Sequence, residues 1–206
     1  MRNLEIECKL DANVPRAFGR ARQFLKKLDL QLVPQNLCIR DHYLDSASRE
    51  LAAQAVAFRV RNTDGKWEAT FKTRTEIKNG KAVRREETLP LPDVRNLAQA
   101  LEVLNQKKKW KGIKVTGLTV QFAIFNKRQI FSLDYEDSKL EIALDNFKIC
   151  VGKKQLKKKE IEIELKCGSA KKLDQFVRIF KQQTQLQTAK ISKVKTAEMF
   201  LSSLKK

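Results

Sequence analysis

Charged side chains recur at every second position in several segments of this 206-residue sequence, and their signs are sorted by segment. Glu5, Glu7 and Lys9 alternate with Leu4, Ile6, Cys8 and Leu10; Glu141 and Asp145 alternate with Leu140, Ile142 and Leu144. Glu160, Glu162 and Glu164 alternate with Ile161, Ile163 and Leu165. Bases dominate elsewhere: Arg59 and Arg61 beside Phe58 and Val60, Lys72 and Arg74 beside Phe71, and Arg84 with the acid Glu86 in 82–88. Carboxylates gathered from several strands suit a hard, oxygen-liganded cation, whereas arginine and lysine suit phosphate oxygens. One such strand alone is explained by a sheet with a packed face and a solvated face. Repeated across strands, with like charges facing each other at a cost, the pattern predicts metal ions on an acidic wall and phosphates on a basic one.

Other chemistries are poorly served. The four cysteines (Cys8, Cys38, Cys150, Cys167) have no paired spacing and His42 is the one histidine, so neither a zinc centre nor a Cys–His nucleophile is expected. Reduced, mostly buried thiols are the expectation. There is no Gly-rich phosphate loop and no Ser-His-Asp set. Lysine and arginine number 43 against 24 acids, a formal net charge of +19, which predicts an anionic partner: a phosphate-rich small molecule, nucleic acid or an acidic surface. No segment approaches the ~18 apolar residues of a membrane span, and no secretory signal is visible at the N-terminus. A cytoplasmic protein without a membrane partner is therefore expected.

Positioning these residues requires a sheet. Strands are expected at 3–10, 38–45, 55–62, 66–74, 82–91, 115–125, 128–135, 139–147 and 158–167, with turns at Thr63-Asp64-Gly65 and Asn79-Gly80. Helices are expected from about Pro15 to Leu28, from Asp93 as N-cap to about Gln106, and over 169–183 and 193–204. Length and the lack of a linker or repeat predict a single domain over 1–206. The class is α+β, dominated by antiparallel sheet. A closed barrel with its charged face inward and helices packed outside would wrap both walls around one ligand, and about eight strands enclose a small one.

Glu5-Ile6-Glu7-Cys8-Lys9 resembles the E-x-E-x-K signature of the CYTH domain, the triphosphate tunnel metalloenzymes. Arg40-Asp41-His42-Tyr43-Leu44-Asp45, Phe58-Arg59-Val60-Arg61, Thr70-Phe71-Lys72 and Arg84-Arg85-Glu86 resemble that family's successive strands. So do Arg128 three residues before Phe131, Leu140–Asp145, Glu160–Leu165 and the pair Ser192-Lys193, in the family's order over residues 3–195. Among its branches the run is most similar to bacterial inorganic triphosphatases, as a standalone module without the helical CHAD domain. One departure stands out: where the family often has Arg-Gly two residues after Ser-Lys, this sequence has Thr196-Ala197, with Lys195 a possible substitute.

The resemblance implies an eight-stranded antiparallel tunnel, dependence on Mg²⁺ or Mn²⁺, and hydrolysis of inorganic triphosphate or a related triphosphate. The metal wall would comprise Glu5, Glu7, Asp145, Glu160, Glu162 and Glu164, register deciding which two of the last three reach the ion. Lys9, Arg59, Arg61, Lys72, Arg84, Arg128 and Lys193 would hold phosphate oxygens, with Lys9, Lys72, Arg59 and Arg61 carrying the transition-state charge. Water would attack the terminal phosphorus in line, activated by a second metal or by Glu86, which otherwise pairs with neighbouring arginines. Trp67 and Trp110 read as packing residues. Thiamine triphosphatase and class IV adenylyl cyclase activity on the same fold are the alternatives, as is a non-catalytic polyphosphate or nucleic-acid module using the lysines of 107–111 and 153–159. The acidic wall argues against a pure binder, so a small-molecule partner is expected, nucleic acid is not, and the chain is expected as monomer or homodimer.

Overall fold

The computed structural model describes residues 6–29, 32–72, 76–78, 81–83, 86–110 and 112–204, with backbone alone at 76–78, 81–83 and Glu86. In chain order the strands are β1 (Glu7–Asp11), β2 (Gln35–Asp45), β3 (Ala57–Thr63), β4 (Lys66–Lys72), β5 (Glu76–Lys78), β6 (Lys81–Val83) and β7 (Glu86–Pro90). They continue as β8 (Lys109–Trp110), β9 (Ile113–Lys114), β10 (Thr119–Tyr135), β11 (Ser138–Val151), β12 (Lys154–Cys167) and β13 (Gln187–Thr188). The helices are α1 (Ala17–Leu28), α2 (Glu50–Ala53), α3 (Leu97–Lys107), α4 (Ala170–Thr184) and α5 (Lys193–Ser203).

Nine strands form one antiparallel sheet in the order β13-β1-β12-β11-β10-β2-β3-β4-β7, and β5–β6 and β8–β9 are separate two-stranded pairs. The α+β class and the dominant antiparallel sheet agree with expectation, but the eight-stranded closed barrel does not. The count is nine, and among the described residues no ladder joins the two ends. The sheet ends on β13, which pairs with Leu10 and Asp11 of β1, and on β7, which pairs with β4.

Three other expectations change. The break foreseen near Asn126 is absent: β10 runs unbroken because Asn126 pairs with Phe147 on one side and Ile39 on the other. The basic segment 152–157 is mostly strand, since β11 and β12 stay in register to Val151 and Lys154. Asn96, not Asp93, caps α3, its side chain accepting from Gln99 N at 3.0 Å; Asp93 sits at φ 65°, outside the extended backbone a cap needs. The Asn79-Gly80 turn lies outside the described residues.

Period-two alternation gives the sheet two unlike faces. On the outer face, Leu10, Leu140, Ile142, Leu144, Ile161 and Ile163 pack under α1 and α4. Phe24 of α1 meets Phe180 of α4 edge-on at 5.5 Å there. Further along the same face, Phe58, Val60 and Phe71 pack with Leu104 of α3. Trp110 stands edge-on to Phe71 at 5.0 Å and Trp67 joins this cluster, so both tryptophans are packing residues. α5 differs from the other helices: its Ala197 and Leu201 pack on Tyr43, Phe122, Phe147 and Ile149, which share a face with Asp145. One end of the inner face is thus apolar and plugged, and the charges occupy the rest.

The cysteines are not buried: Cys8 and Cys150 are partly exposed, Cys38 and Cys167 exposed, and all four are free thiols. The step from β12 into α4 is tight. Gly168 sits at φ +102°, and a Cβ there would lie 2.7 Å from Ser138 Cα and Cβ. Gly168→Ala is expected to cost about 2–3 kcal/mol of stability, measured by denaturant titration, because neither the backbone angle nor the space admits a side chain.

Candidate active site on the inner face of the sheet

Register brings the acids together. Asp145 on β11 stands opposite Glu160 on β12, and Glu162 stands opposite Lys9 on β1 and Ala143 on β11. Asp145, Glu160 and Glu162 each present a carboxylate oxygen within 4.8 Å of the others. Asp145 is fully buried.

Three cations enter this cluster. Lys193, first residue of α5, places Nζ 2.6 Å from Asp145 Oδ2, 2.7 Å from Glu162 Oε1 and 2.9 Å from Glu160 Oε1. The helix start fixes that reach, because Ser192 caps α5 by accepting from Lys195 N. Arg128 donates to Asp145 through Nε at 2.7 Å and Nη2 at 2.6 Å, and also bonds Glu162. Lys9 bonds Glu162 and lies 2.8 Å from Glu7 Oε2. Asn126 Nδ2 donates to Asp145 Oδ1 at 2.7 Å.

A second charged group lies on β2 and β3. Arg61 donates to Asp41 through Nε at 2.6 Å and Nη2 at 2.8 Å, and Arg59 Nη1 stands 3.7 Å from Asp41 Oδ2. Lys72 on β4 is half-buried, opposite Glu86 of β7.

Burial and charge oppose each other at each titrating group. Burial alone would raise the Glu162 carboxyl, but Lys193, Lys9 and Arg128 outweigh it and hold it well below the ordinary range. Burial would likewise raise Asp145 and Asp41; Lys193 and Arg128 depress the first, Arg59 and Arg61 the second. Glu160 goes the other way: burial, helped by the charge on Glu162, pushes its carboxyl up despite Lys193. Burial would depress the Lys193 ammonium, yet Glu162, Asp145 and Glu160 keep it charged above the ordinary lysine range. Lys193 also contributes, as the smallest of these influences, to lowering Asp41.

The sequence-derived set therefore divides. Glu7, Lys9, Arg128, Asp145, Glu160, Glu162 and Lys193 are brought together; Arg59, Arg61 and Lys72 share the inner face with them further along the sheet. Glu164 is displaced from the carboxylate triad: it faces Glu7 and Glu141 in register and pairs with Lys166 at 3.0 Å. Glu5 and Arg84 lie outside the described residues, and so does the Glu86 side chain. Lys195 does not replace the missing arginine, since it turns outward to Glu198 at 3.6 Å. The walls are also less segregated than expected. Lys9, Arg128 and Lys193 sit among the acids, because buried carboxylates this close need counter-charge. Asp41 sits among the bases. It was missed as a site residue, although Ile39, Asp41 and Tyr43 alternate onto the inner face and would have found it.

A sheet of this topology with acids and bases gathered on its inner face defines a class, and the chain belongs to the CYTH domain family, whose sequence profile matches residues 3–197. More particularly, it is 31% identical over 173 residues to the inorganic triphosphatase of Haemophilus influenzae, an alignment covering 84% of this chain and 48% of that protein. The chain thus spans about half the length of this relative. Two solved structures share the fold. One is HpAC1 from Hippeastrum, described as revealing a dominant triphosphatase activity (TM-score 0.66, 18% identity, 95% of each chain). The other is the PH1819 protein of Pyrococcus horikoshii OT3 (TM-score 0.65, 17% identity, 97% of this chain and 99% of that one).

Proposed function

We infer that this protein is a metal-dependent hydrolase of inorganic triphosphate or a closely related triphosphate. The carrying observation is the buried triad Asp145, Glu160 and Glu162, with Lys9, Arg128 and Lys193 bonded into it. The inorganic triphosphatase relative supports the substrate class.

The donor set fits a hard divalent cation. It is all oxygen and draws on two strands, and Asn126 adds a buried amide oxygen that accepts no hydrogen bond. Asp145, Glu160 and Glu162, with Glu7 beside them, would hold Mg²⁺ or Mn²⁺; when bound, such an ion neutralises phosphate charge and lowers the pKa of water. With a cation held by the carboxylates, Lys9, Arg128 and Lys193 would be available to phosphate oxygens, and Arg59, Arg61 and Lys72 would extend the cationic surface. Held between these groups, the chain presents its terminal phosphorus for in-line attack by water. Glu86 is the candidate base. Glu86→Gln with intact metal binding is expected to lower turnover at least about 10²-fold, and near-normal turnover would assign it to arginine pairing instead.

The direct test is phosphate release from tripolyphosphate, thiamine triphosphate and ATP with Mg²⁺, Mn²⁺ or EDTA. Tripolyphosphate hydrolysis that EDTA abolishes and added metal restores is expected. Release that ignores EDTA sinks the metal-dependent mechanism, and pyrophosphate from ATP would mark a cyclase instead.

A further inference from the structure

Among the described residues, the outer face of the sheet is covered at both ends, by α1 and α4 and by α3, but not between. Register assembles a basic platform in that gap. Lys159 and Lys157 on β12, Lys148 on β11, Phe125 and Lys127 on β10 and Arg40 on β2 all point to the outer side, because their neighbours Glu160, Phe147, Asn126 and Asp41 point inward.

Lys148 stands directly opposite Lys157 on one side and Phe125 on the other, and Phe125 stands opposite Arg40. Like charges in direct register destabilise a sheet, and none of these partners is acidic. The inner face shows the contrast, for there Lys9, Arg61, Arg128 and Lys193 each sit against a carboxylate. On the outer platform the aromatics interleave with the cations: Lys148 Nζ lies 5.2 Å over the half-buried Phe125 ring, with His42 at its edge. At the border, Lys159 lies 5.6 Å over Phe18 of α1.

We propose that this outer platform binds single-stranded nucleic acid, its lysines and Arg40 taking the phosphates and Phe125 stacking a base. A broad sheet suits an extended strand better than a duplex, because unpaired bases expose faces that an aromatic ring can meet. The platform lies on the side of the sheet opposite Asp145, so binding there is separate from hydrolysis on the inner face. It also gives part of the +19 charge a place that the candidate active site does not use.

The probe is a fluorescein-labelled oligouridylate of about 20 nucleotides with a 5′-hydroxyl end, which offers no triphosphate to the inner face. Anisotropy is read in EDTA across a salt series. Removing Lys127, Lys148 and Lys157 together as glutamines is expected to weaken binding at least ~10-fold and to lower the salt slope by about two, since three phosphate contacts are lost. Phe125→Leu keeps the packing volume without the ring, and is expected to weaken binding about 5-fold with the slope unchanged. Tripolyphosphate turnover stays at the wild-type level in both. No binding near ~0.1 M salt overturns the proposal, as does an equal loss when exposed Lys107 of α3, Lys109 of β8 and Lys114 of β9 are changed instead. Equal binding by Phe125→Leu together with full competition by inorganic polyphosphate would also overturn it, reducing the platform to an unselective polyanion surface.

Discussion

Glu162→Gln is expected to lower kcat/KM for tripolyphosphate by about 10²–10³-fold, equivalent to about 3–4 kcal/mol of transition-state stabilisation. Lys9, Arg128 and Lys193 all reach its carboxylate. Gln keeps the shape and one oxygen but loses the charge, so both the proposed metal ligand and the common anchor of three cations are weakened together. The loss should persist at saturating substrate and be partly relieved by raising the metal concentration, which distinguishes a ligand from a substrate contact. Steady-state kinetics with titrated Mg²⁺ or Mn²⁺ checks it. Turnover within about 3-fold of wild type would remove Glu162 from the site.

Lys193→Met should have the largest effect on the protein without ligand. It removes the ammonium that lies within 2.9 Å of Asp145, Glu160 and Glu162, leaving three carboxylates within 4.8 Å with less counter-charge. Breaking a buried pair in this way costs about 3–5 kcal/mol near neutral pH. The pH dependence carries the sign. In wild type Glu162 and Asp145 titrate below their ordinary 4.5 and 3.8, so their contribution is complete above those values and is lost as pH falls through the depressed ones. Raised Glu160 works in the opposite sense, its penalty vanishing below 4.5. Without Lys193 the depressions shrink and the Glu160 behaviour dominates. Both proteins should therefore gain stability on acidification from neutral pH toward 4.5, the variant more than wild type. Divalent metal should stabilise the variant more than wild type, because no ammonium has to be displaced. Thermal unfolding at several pH values, with EDTA or metal, reads both effects; parallel curves for the two proteins would exclude Lys193 as the counter-ion.

Much of the site was legible because β-strands encode faces at period two. Glu160 and Glu162 share a face whatever the strand pairs with, and so do Arg59 and Arg61, since alternation is a local property. Asp41 shares that local alternation with Ile39 and Tyr43, but its role depends on Arg61 standing opposite it, which only strand pairing supplies. The separation of Glu164 from the triad was not legible. It depends on Glu164 standing opposite Glu141 while Glu160 stands opposite Asp145, a register set by the neighbouring strand β11. The strand order was not legible for the same reason, since pairing joins segments far apart in sequence, and β13, two residues long, was too short to show as a pattern.

By itself the sequence determined the α+β class, the dominance of antiparallel strands and the two unlike faces, which follow from local alternation, while the residues of the proposed chemistry came from the resemblance to the CYTH domain. Tertiary structure decided three things that need chain segments far apart in sequence. It brought Lys193, near the C-terminus, onto the acids of β11 and β12, because α5 packs on the inner face through Ala197 and Leu201. It set the order of the sheet, in which no ladder among the described residues joins the two ends. It also placed some cations on an inner face, where they meet carboxylates, and others on an outer platform where they meet one another. Charge balance is a property of pairs, and only the fold makes the pairs.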